Sequence, residues 1–256
     1  MKDIKNHATL TDNLVSWWHL GDGGGVRYDQ HGSNNLTDRN SVGYEKGLHG
    51  NCAVFDKDNS ETLSLPLTNN GTLFTDGQDV SLSMFVNMSD ISVDNVLMGA
   101  RANSPSTRGF SFLYRGSRDS GSRVLDLVVQ GGEINSSTFS DLESNKWYFI
   151  TATLDVSTGV VGFDVRDTSG NVLLDDTQTN TSITGNFANG SSAHMSLFSV
   201  FGSVDFDTYA SGQMQSLGVW NNKILSSSEK DDLYNYGVPL PPNLSLIHIS
   251  EPTRPY

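Results

Sequence analysis

The chain has 256 residues, a length that fits one large all-β domain or two small ones. Its formal net charge of −13 argues against nucleic acid as a partner, because phosphate binding relies on clusters of Lys and Arg. No run approaches the roughly 18 apolar residues of a membrane span. The first residues lack the apolar segment of a secretory signal, and the single Cys52 excludes an intrachain disulfide framework.

Alternating apolar and polar residues predict strands from about residue 14 to about residue 220. The alternation is clearest at 80–87, 110–114, 147–154 and 161–165. Turn-forming residues interrupt the stretch 146–176 twice, which predicts a three-strand meander there. Short strands at this spacing favour two stacked antiparallel sheets. Because no linker divides residues 13–238, we predict one domain over that range, preceded by an N-terminal arm at 1–12.

A single short helix is predicted after the last strand. Ser226 and Glu229 have the spacing of a capping box, in which each side chain bonds the other residue's backbone. Leu233 and Tyr234 are expected to face the body of the domain, and Gly237 is a natural stop. Two to three turns are too short to be stable alone. We therefore expect the helix to dock on the sheets and to cover an edge or an end of them.

Residues 239–256 are expected to form a tail outside the domain. The segment LSLIHISEPTR, Leu244 to Arg254, resembles one reading frame of a transposase-based sequencing-library adapter. Residues from about 244 onward are therefore set aside as a translated adapter, as one would set aside an expression scar. This interpretation predicts a metagenomic origin for the gene.

Several segments occur in an order that resembles a known family. The chain opens with NLVSWWHLGDGGGVRYDQHGSNNLT, GLHGNCAVFD and ETLSL, continues with DVSLSMFVNM and NKWYFITATLD, and closes with GQMQSLGVWNNKILSSSEKDDLYNYG. Over residues 13–238 this resembles the laminin-G-like, concanavalin A-like jelly-roll domains. The resemblance implies an all-β fold: a two-sheet antiparallel jelly-roll sandwich with one short C-terminal helix. It also implies a binding module for glycans or proteins.

Some members of this family hold a structural calcium ion. In many of them the closing strand carries adjacent acids, whereas Gln215 and Ser216 stand at those positions here. Calcium favours carboxylate oxygens among its six to eight ligands, so the neutral pair argues against a family-like calcium site. Four other acids are candidate metal ligands, or else solvated turn residues: Asp22, Asp29, Asp205 and Asp207.

No sequence pattern of a known catalytic site is present. The Glu-x-Asp-x-x-Glu triplet of glucanases with this fold is missing, as are a Gly-x-Ser-x-Gly elbow and an H-E-x-x-H zinc motif. Cys52 lies in an alternating strand, where a small buried thiol is expected. We therefore predict that the chain is not an enzyme.

Sugar binding requires an exposed aromatic ring beside polar groups. Tyr114 and Tyr209 are the candidates for this role, with packing in the core as the alternative. Three functional hypotheses remain open. The chain is a module that recognises glycans or proteins on an extracellular surface, a decoration or tail-fibre protein of a virion without sugar binding, or an accessory carbohydrate-binding domain of a larger glycan-active enzyme.

Overall fold

The fold is taken from a computed structural model of the chain. It describes residues 4, 7–66, 73–101, 109–116, 123–129, 132–139, 142–183, 185, 187, 194–200 and 208–237. The tail at 239–256 lies outside these residues. Among the described helices, none is long and apolar enough to cross a membrane.

The described residues are mostly strands, as the alternation predicts. The first strands are β1 (Leu14–Trp18), β2 (Thr37–Arg39), β3 (Gly43–Gly47), β4 (Gly50–Phe55), β5 (Thr62–Pro66), β6 (Val80–Met88), β7 (Asn95–Arg101), β8 (Phe110–Arg115) and β9 (Val124–Val129). They continue with β10 (Gly132–Asn135), β11 (Trp147–Asp155), β12 (Val160–Asp167), β13 (Val172–Thr179), β14 (His194–Leu197), β15 (Ser199–Val200), β16 (Thr208–Tyr209) and β17 (Gly212–Asn221). A 3-10 turn spans Lys57–Asn59, and the helix α1 spans Ser227–Gly237.

Two antiparallel sheets form the body of the protein. The larger has eight strands in the order β13-β12-β11-β6-β17-β4-β3, with β1 also pairing with β17. The smaller has seven strands in the order β10-β9-β8-β7-β14-β5-β2. Strands β11, β12 and β13 are consecutive neighbours, which confirms the predicted meander. The architecture is the predicted two-sheet jelly-roll sandwich with one helix.

The main core lies between the two sheets. Successive side chains of a strand point to opposite faces, so one set from each strand packs inward, as Met84 and Ile150 do. The larger sheet has a second apolar set on its outer face. There Phe85 and Phe149 alternate with the inward residues and belong to a separate buried cluster, which we call the outer cluster.

The helix covers this outer cluster. Leu233 and Tyr234 of α1 are buried in it, together with Leu10 from the N-terminal segment. The Tyr234 ring lies 5.8 Å from the Phe149 ring, centroid to centroid. The prediction that the helix covers an edge or an end of the sandwich is therefore wrong. It lies over a face, because the central strands are apolar on both sides and their outer side needs a cover.

Polar contacts hold the helix in place. The predicted capping box is present, with the Ser226 N–H donating to Glu229 Oε2 at 3.0 Å and the Glu229 N–H donating to Ser226 Oγ at 3.3 Å. Arg166 on β12 donates to Asp231 of α1 at 2.5 Å and to the buried Asp164 at 2.9 Å. A buried carboxylate is tolerated only when it is paired in this way.

Strand β17 contains a bulge at its two neutral residues, Gln215 and Ser216. Its register with β6 shifts between Gln215 and Gly218, and Ser216 has a φ of 55°. Gly218 leaves room for the Trp17 and Trp220 rings, since a Cβ there would lie 2.5 Å from Trp220 and 2.8 Å from Trp17. The bulge thus places Gly218, which has no side chain, where the two indole rings pack against β17.

Gln215 is fully buried and joins β17 to the β3–β4 turn. Its Oε1 accepts the His49 backbone N–H at 3.2 Å, and its Nε2 donates to the Asn51 carbonyl at 3.1 Å. An amide offers both a donor and an acceptor from one planar group, whereas an ionised carboxylate only accepts. Gln215 therefore has a structural role that an ionised carboxylate could not fill.

Replacing Gln215 with Glu should destabilise the fold. The Asn51 carbonyl would lose its donor and a charge would be buried, which costs about 2 kcal/mol or more. Urea unfolding measures the loss. Gln30→Glu is the matched control, because Gln30 donates to the Tyr28 carbonyl in an accessible loop; we expect that change to cost less than about 0.5 kcal/mol. Equal stability of both variants would contradict the assigned role, as would a rise in the Gln215→Glu midpoint on adding calcium.

Glu229 makes stability depend on pH. Burial alone would raise its pKa, but hydrogen bonds from Lys223 and Ser226 outweigh burial and lower the pKa to about 2, from 4.5 in the unfolded chain. Because the folded-state pKa is depressed, the stabilisation is fully present above about pH 4.5 and is lost as pH falls towards 2.

Glu229→Gln keeps the capping box and removes the charge. We expect the variant to lose about 2 kcal/mol at pH 6 and to approach the wild type as pH falls below about 3. Unfolding curves between pH 2 and 7 test this. Glu143→Gln is the control, since Glu143 bonds Lys146 on the exposed surface and should change little at any pH. A wild-type advantage that does not vary with pH would contradict the prediction.

Candidate functional site

Asp29 organises the loop that follows β1. Its Oδ1 accepts the backbone N–H groups of Trp17, His31 and Gly32, each at 3.0 Å, and its Oδ2 accepts that of Asn34 at 3.1 Å. Burial alone would raise the pKa of Asp29, but these hydrogen bonds outweigh burial, so the pKa lies below its ordinary value. N–H groups thus occupy both oxygens, where a metal ligand would need free lone pairs.

The remaining predicted metal ligands do not form a centre that the structure describes. Asp22 accepts the Tyr28 backbone N–H at 3.1 Å in the same loop as Asp29. Asp205 and Asp207 lie outside the described residues. Across the part of the chain that is described, no three of its His, Cys, Asp and Glu side chains are placed to hold a metal ion.

Tyr114 is buried and does not offer an exposed ring. It is 0% exposed, its ring lies edge-on to Phe139 with centroids 6.2 Å apart, and burial raises the pKa of its hydroxyl to about 12. Strand β8 turns this side chain towards the other sheet, so a sugar cannot reach it. Tyr114 is a core residue, which is the alternative that the sequence left open.

Tyr209 is half-buried on β16, at the border of an open depression. Lys57, Asp58 and Ser60 line the same depression, which has a volume of about 400 Å³. Lys57 Nζ lies 2.6 Å from Asp58 Oδ1, so the two charges pair on the exposed surface. The geometry leaves part of Tyr209 accessible beside these polar side chains.

A better-defined pocket lies at the rim of the larger sheet, where β11 begins and β12 ends. It has a volume of about 460 Å³, and its described walls are Leu48, Glu143, Asn145, Lys146, Trp147, Tyr148, Asp167, Thr168, Ser169 and Leu173. Trp147, at the start of β11, is the half-buried aromatic of this pocket and packs against the outer cluster. Phe149, two residues further on the same face, is buried under α1. The helix α1 therefore covers the Phe149 ring but leaves part of the Trp147 ring exposed.

A row of polar side chains leads away from Trp147 across the sheet. Trp147 is paired with Asn87 on β6, and Asn87 with Gln213 on β17. Asn87 Nδ2 donates to Gln213 Oε1 at 2.8 Å, and Gln213 Nε2 donates to Glu45 Oε1 on β3. These bonds fix the orientation of all three polar groups. We call the pocket together with Trp147, Asn87, Gln213 and Glu45 the Trp147 surface.

The row retains unused hydrogen-bonding atoms. Within the described structure, the side-chain bonds of Asn87, Gln213 and Glu45 use one N–H of each amide, one amide oxygen and one carboxylate oxygen. Asn87 Oδ1, Glu45 Oε2 and a second N–H on each amide remain for a ligand. The surface can therefore both donate and accept hydrogen bonds beside an aromatic ring.

The sequence predicts the orientation of Trp147 but not its exposure. Alternation places it on the face opposite Tyr148, together with Phe149. The signal that could have identified Trp147 is the polar segment just before it, because Asn145 and Lys146 mark where β11 begins at the rim of the sheet. The partner residues Asn87 and Gln213 come from distant segments, so only strand pairing shows that they are neighbours.

Buried carboxylates elsewhere serve ion pairs. Asp126 is 0% exposed and lies 2.7 Å from Arg115, which also pairs with Asp94 at 2.9 Å. Asp164 is held by Arg166 in the same manner. Cys52 is buried, and burial first, then the nearby Glu45, raises the pKa of its thiol to about 11, which disfavours a reactive thiolate.

Comparison with known proteins gives matches of fold only. No protein-family model and no curated protein sequence matches the chain. The binding domain of Paraclostridial Mosquitocidal Protein 1 superposes with a TM-score of 0.61 at 14% identity, over 88% of this chain and 52% of that chain. The binding domain of botulinum neurotoxin DC in complex with SialylT gives 0.59 at 14% identity, over 89% and 52%.

The same neurotoxin domain in complex with rat synaptotagmin II gives a TM-score of 0.58 at 13% identity, over 89% of this chain and 52% of that chain. The chain thus spans about half the length of these solved binding domains. At such identities the likeness is one of fold, and it agrees with the two-sheet jelly-roll sandwich described above.

Proposed function

We propose that this protein is a non-catalytic, glycan-binding module of the laminin-G-like type, and that the Trp147 surface is its binding site. The observation that carries the proposal is a half-open indole beside a row of amides whose orientation is fixed by hydrogen bonds. Solved structures of similar fold include one neurotoxin binding domain seen both in complex with SialylT and in complex with rat synaptotagmin II. They support a binding role for the fold.

The chemistry of the surface suits a sugar. A sugar ring has an apolar face of C–H groups and a rim of hydroxyls, and the Trp147 ring is a flat apolar surface of similar size. Hydroxyls both donate and accept hydrogen bonds, as do the free atoms of Asn87 and Gln213. Small-ligand sites commonly combine an apolar wall with a few fixed polar groups.

Binding should use no metal at this site. The polar groups of the row are amides and one carboxylate, and Asp29 in the β1 loop already accepts four N–H groups. Glycan affinity is therefore expected to be the same in calcium and in chelator, with equal melting temperatures in the two conditions.

Trp147→Ala should weaken glycan binding at least about tenfold, because removing an aromatic anchor commonly costs more than 1 kcal/mol of binding free energy. A glycan array identifies ligands of the wild type, and calorimetry on the best of them measures the loss. Tyr28→Ala is the matched control, since Tyr28 is 56% exposed and does not line the surface. It should bind as the wild type does.

Trp147→Phe separates binding from folding. Phe keeps the apolar contact with the outer cluster, so this variant should fold and retain part of the affinity. Failure of the wild type to bind any glycan, with or without calcium, would refute the proposed function. Undiminished binding by a folded Trp147→Ala variant would place the site elsewhere.

A further inference from the structure

We infer that the Trp147 surface selects neutral oligosaccharides, bound along their length, and rejects glycans that carry carboxylate or sulfate groups. This inference rests on the proposed function and specifies its ligand class. It follows from the charges that border the surface and from the direction of its polar row.

The charges at the surface are mainly negative. Glu45 ends the polar row, and Glu143 and Asp167 line the pocket. Asp167 remains a carboxylate: burial raises its pKa, but bonds from Asn171, Ser169 and Gly170 lower it below the ordinary value. An anionic ligand would therefore meet charges of its own sign, which repel more strongly near a protein surface than in bulk water.

The positive charge at the surface is already paired. Among the described lining residues the cation is Lys146, and its Nζ lies 2.6 Å from Glu143 Oε1. Lys46 follows Glu45 on β3 but points to the opposite face, because successive side chains of a strand alternate. Recognition of a carboxylate or sulfate relies on Arg or Lys groups that are free to bond it, and the described surface offers none.

The row runs across the strands rather than along one of them. From Trp147 on β11 it passes β6 and β17 and reaches over β4 to Glu45 on β3. Adjacent strands lie about 4.8 Å apart, so four spacings from β11 to β3 give about 19 Å. The pocket closes the row at the Trp147 end, while β3 is the edge strand at the other end.

This shape places one end of a glycan chain in the pocket and the next sugars over Asn87 and Gln213. A monosaccharide would occupy the pocket and leave the polar row uncontacted. Longer chains should therefore bind more tightly until the row is filled, and Gln213 should matter most for ligands long enough to reach it.

The test compares neutral glucan, mannan and galactan oligosaccharides with their uronic-acid counterparts by calorimetry at low salt. For whichever series binds, the neutral member should bind at least about tenfold more tightly than the acidic member. Raising the salt concentration should reduce the difference in affinity between neutral and acidic oligosaccharides, because salt screens the repulsion. Gln213→Ala should weaken binding of long oligosaccharides severalfold more than it weakens disaccharide binding.

Glu45→Gln tests the charge directly. The new amide can still accept from Gln213, so the row keeps its geometry while the charge is lost. Acidic ligands should gain at least about threefold in affinity relative to neutral ligands, which serve as the reference for the variant's own binding. Asp58→Asn is the control, an exposed acid that does not line the surface, and it should change neither ligand class.

The outcomes are distinguishable. If acidic oligosaccharides bind the wild type as tightly as neutral ones, or if Glu45→Gln leaves the ratio of acidic to neutral affinity unchanged, the inferred selectivity is wrong while the glycan-binding function stands. If no member of either series binds the wild type, the proposed function itself is refuted.

Discussion

The structure depends on one constraint: the central strands of the larger sheet are apolar on both faces. Strands β6 and β11 send Met84 and Ile150 into the space between the sheets, and Phe85 and Phe149 to the outside. An uncovered outer face would expose a large apolar patch. The helix α1 and the N-terminal segment cover it, and the Trp220 indole donates to the Leu10 carbonyl at 2.7 Å to hold that segment.

The candidate site is a consequence of where this cover stops. Phe149 is buried beneath Tyr234, whereas Trp147, on the same face of the same strand, is half-buried. Beyond it the outer face becomes polar, with Asn87 and Gln213 in successive strands. The same contacts that hold Trp147 against the outer cluster also present its ring, so stability and binding share one element. Such positioning on rigid strands favours a pre-formed site over one that must order on binding.

Much of the fold could be predicted from local pattern. The capping box at Ser226 and Glu229 depends on a spacing of three residues, and the meander over β11, β12 and β13 depends on neighbouring segments. Both are local, and both are present. The position of the helix was predicted wrongly, because its docking depends on Phe85 and Phe149, which come from strands far apart in the chain.

The sequence by itself determined the strands, the capped helix, the buried Cys52 and the neutral residues Gln215 and Ser216. Only the tertiary structure decided what these residues do. Tyr114 and Trp147 are both aromatic residues on alternating strands, and nothing local distinguishes the buried ring from the open one. Their exposure is set by what packs over each face, and the polar row beside Trp147 exists because strand pairing joins residues 45, 87, 147 and 213.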